Sequence, residues 1–168
     1  YERYCKDPKS KRWQDWPYMT GDAAVTAADG YVRILGRIDD VINVSGHRLG
    51  TKEIESAAMT IKEVAEAAVV PVKHEVKGKE PDLYVSLRPG CTASDELAQR
   101  VQNAVVTEIG AIARPRKVWI VSDMPKTRSG KIMRRVLSAI SNGTEVGDVM
   151  TLANPEIVAE ITHLVQGK

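Results

Sequence analysis

Four cations, Lys126, Arg128, Lys131 and Arg134, fall within nine residues of the stretch PKTRSGKIMRR, 125–135, and Ser129-Gly130 stands directly before Lys131. Such a cluster suits three tasks: cradling phosphates, contacting a nucleic acid, or solvating a loop. A P-loop needs a glycine five residues before the Gly-Lys pair and a Ser or Thr after it. Those places hold Pro125 and Ile132, which excludes a P-loop. The cluster lacks base-stacking aromatics, and Met133, Val136 and Leu137 have the spacing of a buried helix face, so nucleic acid is not expected. The spacing predicts a helix starting near Ser129, with Ser129 as its N-cap. Lys131 would then sit in the first turn, where a cation opposes the helix dipole by roughly 0.3–1 kcal/mol unless an anion binds there. An anion site and a solvated cation both remain open on these residues alone.

A second segment, GRIDDVINVSGHRLGT, 36–51, offers the paired carboxylates Asp39 and Asp40. Neighbours in an extended chain point to opposite faces, so a shared-proton dyad is not expected and a turn or hinge is. Gly46 and Gly50 suit special backbone angles or the close approach of a ligand, or serve as ordinary turn glycines.

These residues need elements to position them. Asp29-Gly30 between β-prone runs predicts a hairpin, and Ile38, Val41, Ile42 and Val44 a second short strand pair. Thr51 suits a helix cap and Glu53 a first turn, with Ile54, Ala57, Ala58 and Ile61 on one face. VAEAAVVPV, 64–72, reads as a buried strand ending near Pro71, and DLYVSLR, 82–88, alternates cleanly. Ser94 caps a helix with Leu97, Val101, Ala104, Val105 and Ile109 inward, and Gly110 stops it. KVWIVS, 117–122, is a third core strand. After the linker 141–148, Pro155 introduces a last amphipathic helix. The expected fold is α+β: a small mixed β-sheet with packed helices plus a β-hairpin, in two layers.

The chain has 168 residues, 43% hydrophobic and 27% charged, with a net charge of +2, so any basic function is local rather than a general affinity for nucleic acid or membrane. Cys5 and Cys91 form no CxxC and His47, His74 and His163 are scattered, which argues against a metal cluster or disulfide frame and points to a reducing, cytoplasmic setting.

In combination, TGD at 20–22, DGY at 29–31, GRIDDVINVSGHRLGTKEIE at 36–55 and PKTRSGKIMRR at 125–135 resemble the carboxy-terminal part of the AMP-forming acyl-CoA synthetases of the adenylate-forming superfamily. SGHRLGT narrows the resemblance to the short-chain branch, acting on acetate, propionate or 3-hydroxypropionate. The resemblance implies two steps: a carboxylate attacks the α-phosphorus of ATP to give acyl-adenylate and pyrophosphate, then the CoA thiol takes the acyl group and releases AMP. A small lobe rotates on a hinge between them.

By residue, the resemblance implies Lys131 as the catalytic lysine of adenylation and as a site of lysine acetylation. Asp22, Arg37 and Arg48 would bind the nucleotide, Asp39 would be the hinge, and Ser45 and Gly46 would line the CoA tunnel. The backbone carbonyls of Met59, Ile61 and Val64 would be a metal site, although the family's histidine is Ile61 here and Lys62 lies alongside. Val106 replaces an arginine that holds the CoA nucleotide in close relatives. The implied cofactors are ATP, CoA and Mg2+. The implied partners are a small carboxylic acid, a large N-terminal lobe and a lysine acetyltransferase and deacetylase, with no nucleic acid and no membrane. Residues 1–38 would end the large lobe, 39–141 form the small lobe and 142–168 a tail with a helix. The large lobe's own motifs are not in this sequence, so the chain reads as part of a longer or fused polypeptide, inactive alone. A non-catalytic binding or regulatory module is the alternative of another class.

Overall fold

The computed structural model describes residues 20–37, 41–76 and 78–167, together with Lys9, Pro17 and Tyr18. The chain divides after Val41 into two units.

In the first, β1 (Asp22–Thr26) and β2 (Val32–Arg37) form an antiparallel hairpin with a bulge between Ala23 and Ala24. The predicted Asp29-Gly30 turn closes it: Asp29 Oδ1 accepts from Tyr31 N–H at 3.2 Å, and Gly30 takes φ +86°, which a side chain would resist.

The second unit holds β3 (Val41–Val44, whose first residue lies at the division), β4 (His47–Gly50), α1 (Thr51–Ala58), β5 (Val64–His74), β6 (Gly78–Leu87), α2 (Asp95–Ile109), β7 (Lys117–Val121), α3 (Arg134–Ser141) and α4 (Glu156–Gln166). Central β6 runs antiparallel to β5 and β3 and parallel to β7, so the sheet is mixed, with β5 at an edge. The α+β expectation holds.

The two-layer packing does not, because helices cover both faces. Ala67, Val69, Leu83 and Val85 pack in one cluster with Ile54 of α1 and Val101 of α2. Their strand neighbours Ala68, Val70 and Tyr84 pack in another with Val136 and Leu137 of α3 and Ile161 of α4. The apolar run AAVVPV in β5 is the composition of a strand buried on both sides. Segment 142–168 therefore contributes α4 to the second core.

Ser94 caps α2 by accepting from Leu97 N–H at 3.1 Å, and Gly110 ends it. Thr51 is the first residue of α1 rather than its cap; Gly50 occupies the cap position. Strand β5 runs on to His74, past Pro71. Pro71 is tolerated because its missing N–H falls on an edge strand. Among the described residues no helix is long and apolar enough to cross a membrane.

Candidate functional site

The segment around Lys131 is a hairpin, not a helix start. Lys126 and Ile132 pair antiparallel. Thr127 N–H donates to Lys131 O at 2.9 Å, Gly130 N–H to Thr127 O at 2.8 Å, and Lys131 N–H to Thr127 Oγ1 at 3.1 Å. Gly130 sits at φ +78°, a left-handed conformation that ends any right-handed helix there. Helix α3 begins at Arg134 with Met133 in the cap position, and the Ser129 hydroxyl bonds Thr127 Oγ1 at 3.0 Å. The predicted Ser129 cap and the dipole argument for Lys131 are thus corrected. Lys131 stands at the end of a tight turn, exposed, and its ammonium has no hydrogen bond or ion pair to any described residue.

The other cations divide. Lys126 Nζ lies 2.7 Å from Asp123 Oδ1 and 2.8 Å from Glu66 Oε2, and these hydrogen bonds raise its pKa. Partial burial pushes the Asp123 carboxyl up, but bonds from Lys126, Met124 N–H and Asn154 outweigh it and hold Asp123 below the usual range. Arg134 donates to Glu55 from Nε to Oε1 at 3.0 Å and from Nη2 to Oε1 and Oε2 at 2.7 and 2.9 Å. Two of the four cations therefore anchor the hairpin, while Arg128 and Lys131 are exposed at its tip.

Ser45 and Gly46 form the two-residue turn between β3 and β4, at φ 49° and 84°, the left-handed pair that matches strand twist in a tight hairpin. A Cβ at Gly46 would meet nothing within 4 Å, so its smallness answers to no neighbour in this chain. Arg48 is exposed on β4, one residue from buried Leu49, which fixes that strand's inward face.

The hairpin and the turn sit at opposite ends of the β5–β6 ribbon. Lys126 tethers the first to Glu66, near the start of β5. Val44, just before the turn, pairs with Gly78, which faces His74 at the far end of β5. The eight steps from Glu66 to His74 span about 26 Å at roughly 3.3 Å each.

Of the remaining predicted residues, Asp22 is exposed and faces Arg37 across β1–β2. Asp39 lies outside the described residues. The turn after α1 suits a divalent cation poorly. Ile61 O already accepts from Val64 N–H at 3.0 Å, and Met59, Ile61 and Val64 offer only neutral carbonyls beside Lys62. The Glu63 carboxylate is turned to Arg100 at 2.8 Å, a bond that lowers its pKa. Among the described residues no group of His, Cys, Asp or Glu side chains is arranged to hold one.

The anchors Glu55, Glu66, Asp123 and Asn154 carry no motif of their own. Glu55, Glu66 and Asn154 are marked only by partners far away in the chain, whereas Asp123 pairs with Lys126 three residues on. The one local signal is Glu55, a carboxylate on the apolar face of α1.

Residues 53–131 match the family described as AMP-binding enzyme C-terminal domain. The chain is 49% identical over 162 residues to an acetyl-coenzyme A synthetase of Gemmatimonas aurantiaca, covering 95% of this chain and 25% of that protein. It is 51% identical over 151 residues to one from Phycomyces blakesleeanus, with 89% and 22% covered. The chain thus spans about a quarter of the length of these curated relatives. Among solved structures it resembles ATP-bound MatB from Rhodopseudomonas palustris, at 30% identity and a TM-score of 0.65, over 72% of this chain and 24% of that one.

Proposed function

We propose, from the match of residues 53–131 to the AMP-binding enzyme C-terminal domain family and from the acetyl-coenzyme A synthetase relatives, that the chain is the mobile lobe of an AMP-forming short-chain acyl-CoA synthetase, of the acetate–CoA ligase type. The whole protein would take a small carboxylic acid, ATP with its Mg2+, and CoA. Its acyl pocket and most of its adenine site would lie in the large lobe, in the cytoplasm.

The separation of Lys131 from Gly46 carries this reading. Adenylation needs a cation at the α-phosphate while charge builds on its oxygens, and the Lys131 ammonium, exposed and unengaged by described residues, suits that electrostatic role. Thioester formation needs an unobstructed path for a thin thiol-bearing chain, and the bare Gly46 turn suits that. Two groups at opposite ends of one ribbon cannot serve a single centre in the same orientation of the lobe. The lobe has to turn between the half-reactions, about the segment containing Asp39. Asp22, Arg37 and Arg48 would hold the nucleotide, with the Asp22 carboxylate accepting from two ribose hydroxyls.

The test uses the full-length enzyme. Lys131→Ala should abolish ATP–pyrophosphate exchange and leave thioester formation from supplied acyl-adenylate largely intact. Survival of exchange would remove Lys131 from the chemistry. Acetylation of Lys131 would remove the same charge and should have the same selective effect.

A further inference from the structure

The hairpin that carries Lys131 is too short to hold its own shape. One bridge, Lys126 to Ile132, joins its strands, and an isolated two-stranded hairpin is marginal in water. Its other edge is completed by chain that arrives after α3. Thr127 pairs antiparallel with Leu152, which is buried, and Ala153 N–H donates to Lys126 O at 2.8 Å. Asn154 closes the arrangement. Its Oδ1 accepts from Lys126 N–H at 3.0 Å, and its Nδ2 donates to Asp123 Oδ2 at 3.1 Å and to Met124 O at 2.8 Å. Asp123 in turn receives the Lys126 ammonium. One side chain thus joins three groups of the hairpin's entry strand, on residues 123, 124 and 126.

The segment leading to Asn154 is itself held: the Arg135 guanidinium donates to Val146 O at 2.9 Å and to Asp148 O. The third strand beneath the lysine is therefore supplied by residues outside the matched family region, which ends at Lys131.

We propose that Asn154 is a positioning residue for Lys131: by ordering the strand 123–127 it sets where the Lys131 ammonium stands during adenylation. This rests on the adenylation role given to Lys131 above. The effect is confined to one half-reaction, because the Ser45-Gly46 turn lies at the other end of the ribbon. A displacement of about 1 Å at a reacting group is enough to cost roughly a hundredfold in rate.

The experiment compares full-length wild type, Asn154→Ala, Asn154→Asp and Lys131→Ala in both half-reactions. Asn154→Ala is expected to lower the turnover of ATP–pyrophosphate exchange roughly ten- to a hundredfold, with the KM for ATP and thioester formation from acyl-adenylate within about twofold of wild type. Asn154→Asp keeps the acceptor for Lys126 N–H but turns an oxygen toward Asp123 and Met124 O. It is expected to lower exchange too, and to recover part of it as the pH falls and the new carboxylate is protonated. Wild-type exchange in both Asn154 variants would overturn the proposal. So would an equal loss in both half-reactions, which marks a fold defect without positioning. If Lys131→Ala itself retains exchange, the adenylation reading fails instead, whatever Asn154 does.

Discussion

Arg134 and Glu55 meet around the open edge of β5. Glu55 belongs to α1 on one face of the sheet and Arg134 to α3 on the other. Glu55 Oε1 also accepts from Val69 N–H at 3.1 Å, one of the backbone donors that an edge strand leaves without a partner. Two residues on, Pro71 O accepts from Asn142 Nδ2 at 3.0 Å, and beyond it Lys73 N–H donates to Asn142 Oδ1 at 3.0 Å. The edge is thus covered by side chains at 69, 71 and 73, where a partner strand would otherwise bond.

Removing Arg134 leaves a buried carboxylate whose partners among the described residues are the Val69 N–H and Lys52, 3.0 Å away. Arg134→Met should destabilise the lobe by about 3 kcal/mol. In urea unfolding this appears as a lower midpoint at unchanged m. A midpoint equal to wild type would show that the pair does not hold the edge.

Gly46 separates a backbone demand from a space demand. At φ +84° any Cβ is strained by roughly 1–2 kcal/mol, and asparagine less than most. No neighbour in this chain opposes a side chain there. Gly46→Asn should leave stability nearly unchanged, and Gly46→Leu should cost about 1–2 kcal/mol. In the full-length enzyme Gly46→Leu is expected to spare ATP–pyrophosphate exchange and block thioester formation. Loss of exchange with normal use of acyl-adenylate would reverse the assignment.

Asp82 is fully buried on β6 and tied to Arg116 at 2.8 and 2.7 Å, Trp119 Nε1 at 3.1 Å and Ser141 Oγ at 3.0 Å. The Tyr84 hydroxyl adds a 2.6 Å bond to Ser141 Oγ, and burial pushes that phenol above its ordinary range. This network links β6, β7 and α3. Arg116→Met should cost about 3 kcal/mol because the carboxylate stays buried. The double variant Arg116→Met with Asp82→Leu should recover much of that loss. If the double variant is as unstable as the sum of the singles, the buried charge is not what the single change exposed.

The Asp123–Lys126 anchor predicts a flat neutral region with losses at both extremes. Asp123 has a folded pKa below its unfolded one, so its contribution is present above the ordinary aspartate range, about pH 4, and is lost as pH falls through the lower folded value. Lys126 has a raised folded pKa. Its contribution is complete below about pH 10 and is lost as pH rises through the folded value. The Met124 amide donates to Asp123 Oδ1 at 2.7 Å, so its NMR shift reports the acid limb. The midpoint is expected below pH 3.9; a midpoint above that sinks the anchor.

Elements whose signals lie within a few residues were legible without coordinates. Ser94 and Gly110 bound α2 because a cap and a left-handed stop act on the turn they touch. Asp29-Gly30 marked its hairpin for the same reason. The lysine hairpin was misread as a helix start because Ser-Gly before an apolar 3.6-residue pattern looks like a cap. The choice was made by the Lys126–Ile132 bridge and by residues 152–154, which no local pattern announces. The second helical layer leaves no such local mark: alternation in β6, with Leu83 and Val85 on one face, leaves open whether Tyr84 and Ser86 on the other meet solvent. Both are buried.

The motif order and the chemical types of Lys131 and Gly46 were set by the sequence alone, since they depend on which residues are present and how they are spaced. Which of the four clustered cations is left to meet a ligand was decided only in the tertiary structure. Lys126 is taken by Glu66 and Arg134 by Glu55, carboxylates distant in the chain that the fold brings within 3 Å. An ion pair depends on distance in space, and along a folded chain that distance is fixed by the packing of β5, α1 and α3 rather than by neighbours in sequence.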